Sequence, residues 1–120
     1  MTDRVRPPDD IAPHDFFTRW ISEAVSGDDA RRVRLGDTEA SIEFDLSGDG
    51  GGVFTVNISE GRVFGTAGPA PKPDLRVQVD VDTWRALNRG DLSAPEALLR
   101  RKVRLSGNLL LGLKVHLILG

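Results

Sequence analysis

The last fourteen residues, Gly107-Asn-Leu-Leu-Leu-Gly-Leu-Lys-Val-His-Leu-Ile-Leu-Gly120, are almost wholly apolar; after Asn108 only Lys114 and His116 break the run. A helix that spans a bilayer needs about 20 apolar residues, and a one-sided surface helix keeps a polar stripe. This segment satisfies neither description, so it must be buried within protein or cover something apolar. The choice matters because the rest of the chain offers little reactive chemistry.

A length of 120 residues suits one domain with one core. The formal net charge is −2, with acidic and basic residues in near balance. That argues against a chain built to neutralise phosphates, so no nucleic-acid partner is expected. The absence of cysteine excludes a disulfide scaffold, a thiol nucleophile and any thiolate metal site. At the N-terminus, residues 1–10 carry charges and two prolines where a signal peptide would need an apolar stretch, which points to a cytoplasmic protein. Residues 1–12 read as a flexible leader and 13–120 as one domain.

From Pro13, the residues Phe16, Phe17, Trp20, Ile21, Ala24 and Val25 recur at helical spacing until Gly27, giving an amphipathic helix with an aromatic face. Three runs with two-residue period follow: Ile42, Phe44 and Leu46; Phe54, Val56 and Ile58; and Val63 with its neighbours. The glycine-rich turns between them predict an antiparallel meander. Gly68-Pro-Ala-Pro-Lys-Pro73 must be a surface connection. A fourth strand runs from Leu75 to Val81, and a helix capped by Asp82 or Thr83 carries Trp84 and Leu87 on one face. Ser93 caps a second short helix to Arg101, with Pro95 in its first turn and Leu98 and Leu99 buried. Val103 to Leu105 is the last strand, and Ser106-Gly-Asn108 launches the apolar C-terminal helix.

Strands grouped early and helices grouped late imply an α+β fold with helices on one face of the sheet. Ile42, Phe44, Leu46, Phe54, Val56 and Ile58 then face the helices. Glu43, Asp45, Thr55, Asn57, Arg76 and Gln78 are expected on a face left in water.

A search for catalytic chemistry finds no Gly-x-Ser-x-Gly elbow, and the two histidines, His14 and His116, lie in predicted helices at opposite ends of the chain. They make no metal site by themselves. Asp45-Leu-Ser-Gly-Asp49-Gly lacks the distal glutamate of a calcium loop, and the triple glycine lacks the lysine of a phosphate loop. Both read as a hairpin turn. Two basic clusters, Arg31-Arg32-Val-Arg34 and Arg100-Arg101-Lys102-Val-Arg104, read either as helix C-terminal charge with a strand's solvent face, or as a positive rim for an anionic headgroup or membrane surface.

The stretch Ile42-Glu-Phe-Asp-Leu-Ser-Gly-Asp-Gly-Gly-Gly-Val-Phe-Thr-Val-Asn-Ile58, followed by Val81-Asp-Thr-Trp84 with Gly90-Asp-Leu92, and then by Lys102-Val-Arg-Leu-Ser-Gly-Asn108 and Leu111-Gly-Leu-Lys114, resembles the sterol carrier protein type 2 domain family, of the stand-alone bacterial type. The resemblance runs from about Phe16 to the end. It implies a five-stranded, mostly antiparallel sheet with helices over one face, and an apolar tunnel between them holding a fatty acyl, isoprenoid or sterol-like tail. It implies binding or transfer without catalytic residues or cofactor. The family's last helix is often small at the positions of Leu110 and Gly112; Gly112 keeps that pattern, while Leu110 puts a larger side chain where a ligand would pass.

Within that frame, Phe44, Leu46, Phe54 and Val56 are expected to floor the tunnel. Phe17, Ile21, Trp84, Leu87, Leu98 and Leu99 wall it, and Val103, Leu105, Leu109 and Leu113 close it. An empty cavity of about 300 Å³ would cost about 7 kcal/mol, a large part of the roughly 5 to 15 kcal/mol that stabilises such a domain. The tunnel is therefore either occupied or largely filled by its own lining. Expected partners are a lipid or fatty acyl ligand, with transient contact to a membrane surface or a lipid-handling enzyme. The chain ends without a peroxisomal tripeptide, so a peroxisomal carrier role is not expected. The rival reading is an accessory or self-associating module, a homodimer included, that docks through Leu117, Ile118 and Leu119 and assists, for example, a lipid or quinone biosynthetic enzyme.

Overall fold

Alternating residues on the early strands and a glycine-rich turn at Gly48 to Gly51 produce the antiparallel pair that organises the domain. In the computed structural model, which describes Pro7, Pro8 and residues 10–119, the last five of these by backbone alone, β1 (Ala40–Ser47) pairs with β2 (Gly52–Ser59), and β2 with β3 (Arg62–Ala67). β4 (Leu75–Asp80) then joins β1 in parallel, and β5 (Val103–Gly107) pairs antiparallel with β4. The mixed five-stranded sheet has the order β3-β2-β1-β4-β5.

Pro13–Asp15, Phe16–Trp20 and Ile21–Ser26 run on as one helix, α1, whose middle section has the wider π spacing. This π turn sits where Phe16 and Phe17 both enter the core, a setting in which an inserted residue re-aims consecutive side chains. α2 (Asp29–Leu35) is a helix that periodicity did not reveal. Asp28 caps it by accepting the Arg31 N–H, and Arg31 is buried with its guanidinium 5.6 Å over the Trp20 ring and 3.6 Å from the Asp28 carboxylate. Arg32 pairs with Asp29. The first basic cluster is thus a capped helix with one arginine folded inward, not a continuous positive rim.

α3 (Val81–Arg89) starts two or three residues earlier than expected, because Asp80 rather than Asp82 or Thr83 caps it. The Asp80 carboxylate accepts the Thr83 N–H and hydroxyl. α4 (Ala94–Leu99) is capped by Ser93 as expected. Its buried residue is Ala97; Leu98 and Leu99 are 44% and 85% exposed, which overturns the expectation that they are buried. Pro95 and the Ser93 cap fix where this six-residue helix begins, and the phase set there turns Ala97 inward. Asn108 caps the last helix, α5 (Leu109–Leu119), by accepting the Leu111 N–H.

The helix-facing residues are placed as their alternation requires: Ile42, Leu46, Phe54, Val56 and Ile58 are buried and Phe44 is half-buried. The opposite face departs from expectation at two positions. Glu43 and Thr55 are buried, because the proline-rich connection from Gly68 to Pro73 crosses this face on its way from β3 to β4. Glu43 accepts the Ala70 N–H at 3.0 Å and the Arg76 Nε at 2.6 Å, and the Thr55 hydroxyl donates to the Gly68 carbonyl. A parallel β1–β4 pair demands such a crossover, and its backbone must find hydrogen-bond partners where it touches the sheet. Glu43 and Thr55 provide them.

Candidate functional site

Paired residues on the helix-facing side form rows across the sheet. Val56, Ile42 and Leu75 make one row, and all three are buried. Phe54, Phe44, Val77 and Leu105 make the next; there Phe54 is buried and the other three are half-buried. Val103, opposite Val79, is half-buried as well. Cover is complete over β2 and thins toward β5.

The completeness over β2 and β3 has an aromatic cause. The Phe17 ring stacks on Phe54 with centroids 5.0 Å apart and lies 4.8 Å from Phe44 and 6.1 Å from Trp84, while Phe16 meets Trp84 edge to face at 5.2 Å. Aromatic pairs at these separations add about 0.5 to 1.5 kcal/mol each beyond area burial. α1 comes so close to β3 that a Cβ on Gly65 would lie 1.8 Å from the Phe17 carbonyl oxygen. Phe17, Ile21, Leu46, Phe54, Val56 and Trp84 therefore share one core, and the rings fill the centre of the sheet-to-helix layer.

Over β4 and β5 the covering helix is α5, which is apolar all round and so has no sequence-encoded phase. It turns Leu111 into the core and sets Gly112 against Leu105 and Leu75. Leu109 and Leu113, expected to close the site, are each 60% exposed, and Leu110 is 79% exposed. Leu110 therefore projects to solvent rather than into the interior. Leu87 is half-buried on α3, and Val103 and Leu105 pack against the edge of the core. The predicted residues thus divide into a sealed group and a half-open group, with Leu98 and Leu99 outside both. Leu75, Val77 and Leu111 also belong to this layer; the alternation of β4 pointed to the first two, whereas nothing in an all-leucine stretch marks the third. His116 and Leu117 to Leu119 have side chains outside those described.

Two clefts open to solvent flank the layer. One, of about 340 Å³, is bordered by Thr38, Ala40, Asp74, Asn108, Leu110 and Lys114. The other, of about 500 Å³, is bordered by Asp45, Gln78, Asp80, Arg101, Lys102 and Arg104. The Thr83 hydroxyl, helped by its N–H, holds the Asp80 carboxyl below the ordinary 3.8. Among the described residues no three histidine, aspartate or glutamate side chains converge to hold a metal ion, and no helix is long and apolar enough to cross a membrane. His14 is exposed, 3.9 Å from Asp15.

The chain is 26% identical over 99 residues to hydroxysteroid dehydrogenase-like protein 2 of Bos taurus, a match covering 82% of this chain and 22% of that protein. It thus spans only about a fifth of the length of that relative. The fold matches palmitated SCP2L2 of Aedes aegypti with a TM-score of 0.69 at 20% identity, covering 88% of this chain and 92% of the other. It also matches the stereoselective inverting sec-alkylsulfatase Pisa1 of Pseudomonas sp., with a TM-score of 0.68 at 18% identity, covering 91% of this chain but 16% of that enzyme. Residues 21–120, from within α1 through every strand to the apolar C-terminal helix, match the SCP-2 sterol transfer family, to which the chain belongs.

Proposed function

We propose that the domain binds an apolar lipid tail, without catalysis and without a cofactor, along the half-open part of its sheet-to-helix layer. The tail would lie on Phe44, Val77, Val103 and Leu105, with Leu87 on one side and Leu109 and Leu113 on the other. The observation that carries this reading is the contrast in cover on one continuous apolar face: sealed by α1 over β2, half-open along the stripe from Phe44 through Val77 to Leu105 and Val103, between the buried Leu75 and Val79. Family membership supports a lipid as the ligand. The palmitated Aedes aegypti protein of like fold supports an acyl chain among the tail types.

The magnitudes are adequate. About ten buried methylenes would contribute about 8 kcal/mol at about 0.8 kcal/mol each. That corresponds to roughly micromolar affinity before association costs are deducted. Binding would also bury leucines that otherwise face water.

Native mass spectrometry of protein purified without detergent, followed by solvent extraction, tests the reading. A bound lipid, or uptake of a fluorescent fatty acid by the delipidated protein, is expected. Leu105→Asp, which puts a charge in the middle of the stripe, should abolish uptake. A dry protein that also ignores the fatty acid would rule the function out.

The exposure of Leu110 favours a second reading, in which α5 docks on another protein or a second copy. Light scattering separates the two: Leu110→Ser lowers the measured mass if α5 is an interface, and leaves mass and lipid uptake unchanged if it is not. Because the longer relatives carry this domain as a small part of their length, the partner in that case would be an enzyme acting on lipid-like substrates.

A further inference from the structure

The turn from α4 into β5 carries features that the tail site does not use. Leu99, at the last position of α4, is 85% exposed, and Leu98 beside it is 44% exposed. The helix then closes with the Lys102 N–H donating to the Ala97 carbonyl and the Arg101 N–H to the Leu98 carbonyl. This closure puts Arg101 at φ 58, the left-handed position where glycine is the usual residue. An arginine stands there, and Lys102 and Arg104 follow.

These three cations border the cleft of about 500 Å³, and none has a carboxylate within ion-pairing distance among the described residues. Arg100, by contrast, pairs with Glu96. The acidic residues at the cleft are Asp45 and Asp80; the Asp80 carboxylate accepts the Thr83 N–H and hydroxyl and feels the Lys102 charge more weakly, at a distance beyond ion pairing. Arg104 lies opposite Gln78, and Gln78 opposite Asp45, on the face of the sheet away from α1 and α5. An apolar tip and three cations outside any ion pair among the described residues thus share one turn.

We infer that this turn docks the domain on the surface of a bilayer containing anionic lipid: Leu99 enters the acyl boundary while Arg101, Lys102 and Arg104 meet the headgroup phosphates. A protein partner would need about 800 Å² of matched surface on each side, far more than one projecting leucine and its neighbour supply. An interfacial membrane contact needs only an apolar insertion with basic residues around it. Single-stranded nucleic acid would need an aromatic platform, and the exposed Phe64 lies on β3, at the opposite edge of the sheet. The inference rests on the lipid-binding reading, since it names the surface where a tail would be collected or released.

Co-sedimentation of the full chain with vesicles of phosphatidylcholine, with and without phosphatidylglycerol, tests it. Binding is expected only with phosphatidylglycerol and should weaken as salt is raised. Each basic residue at a membrane surface is worth about fivefold in partitioning, so combining Arg101→Gln, Lys102→Gln and Arg104→Gln should weaken binding about a hundredfold. Leu99→Ser should weaken it about tenfold or more. It changes an exposed side chain, so it stands as a folded variant if the triple variant does not. Arg32→Gln, on α2, should leave binding unchanged. Equal binding to both vesicle types, or wild-type binding by Leu99→Ser, overturns the proposal, as does a fall in the protein's own mass on that substitution, which would assign the tip to self-association. Titration of the same proteins with a monomeric fluorescent fatty acid reads the tail site separately. Lost vesicle binding with intact uptake supports a distinct docking turn, whereas vesicle binding without uptake removes the tail site and leaves the turn standing.

Discussion

The two halves of the helix-facing surface are made of the same kinds of residue, yet one is sealed and the other is not. Over β2 and β3, Gly65 removes a side chain exactly where α1 must approach, so the helix backbone rests on the sheet and Phe17 fills the space beyond. Over β4 and β5, α5 meets the sheet through Gly112 and Leu111 while its other leucines up to Leu113 face outward. Apolar content is therefore not what decides burial. The closeness of the covering helix decides it, and a single small residue can set that distance.

The sharpest way to break the comparison is at its sealed end. Phe17→Ala should cost about 3 to 5 kcal/mol in chemical denaturation, because it empties the centre of a ring cluster that has no second layer to collapse into. Milder loss would mean that α1 is not what seals β2.

The two contact glycines sharpen it further. Gly65→Ala drives a methyl into the Phe17 backbone, which cannot give way alone, and should cost about 3 kcal/mol. Gly112→Ala meets only side-chain tips, Leu105 at 3.2 Å and Leu75 at 3.6 Å, and gains helix propensity of about 1 kcal/mol, so its net effect should fall within about 1 kcal/mol of zero. Equal losses at both sites, measured by urea midpoints, would erase the distinction between a close and a loose helix.

Asp80 lies where the half-open side is anchored, at the joint of β4 and α3. Asp80→Ala should cost about 1 kcal/mol through the lost cap. The Thr83 hydroxyl lowers the carboxyl in the folded state, so its contribution is complete above the unfolded value of 3.8 and fades as the pH falls below that through the lowered native value. Thermal melts of wild type and Asp80→Ala should differ fully above about pH 4 and draw together as the pH falls from there.

The smallest effect has the opposite sign. Arg101→Gly relieves a left-handed arginine and should raise stability by up to about 1 kcal/mol in thermal melts.

The strands were legible because their alternation has a fixed period: Ile42, Phe44 and Leu46, or Phe54, Val56 and Ile58, admit one assignment of faces. The helices were legible where a polar face gave them a phase. α2 was hidden by its own arginines, although Asp28 and Gly36 bracket it, because a run of basic residues reads as charge before it reads as a helix. The phases of α4 and α5 could not be read for opposite reasons, one helix being too short and the other uniformly apolar. Nor could alternation reveal the parallel partnership of β1 and β4, and with it the burial of Glu43 and Thr55, since both depend on where a distant connection crosses. For the candidate site this means that Phe17, Phe54 and Trp84 were predictable as neighbours, while the half-open stripe was not, because it arises from how loosely α5 is seated.

Methyl NMR during a titration with palmitate tests the central claim most directly, since every valine, leucine and isoleucine named here reports its own surroundings. The account predicts shifts concentrated on Val77, Val103, Leu105, Leu109 and Leu113, with Val56, Ile58 and Val63 silent. Shifts spread equally over both halves, or confined to the sealed half, would contradict it.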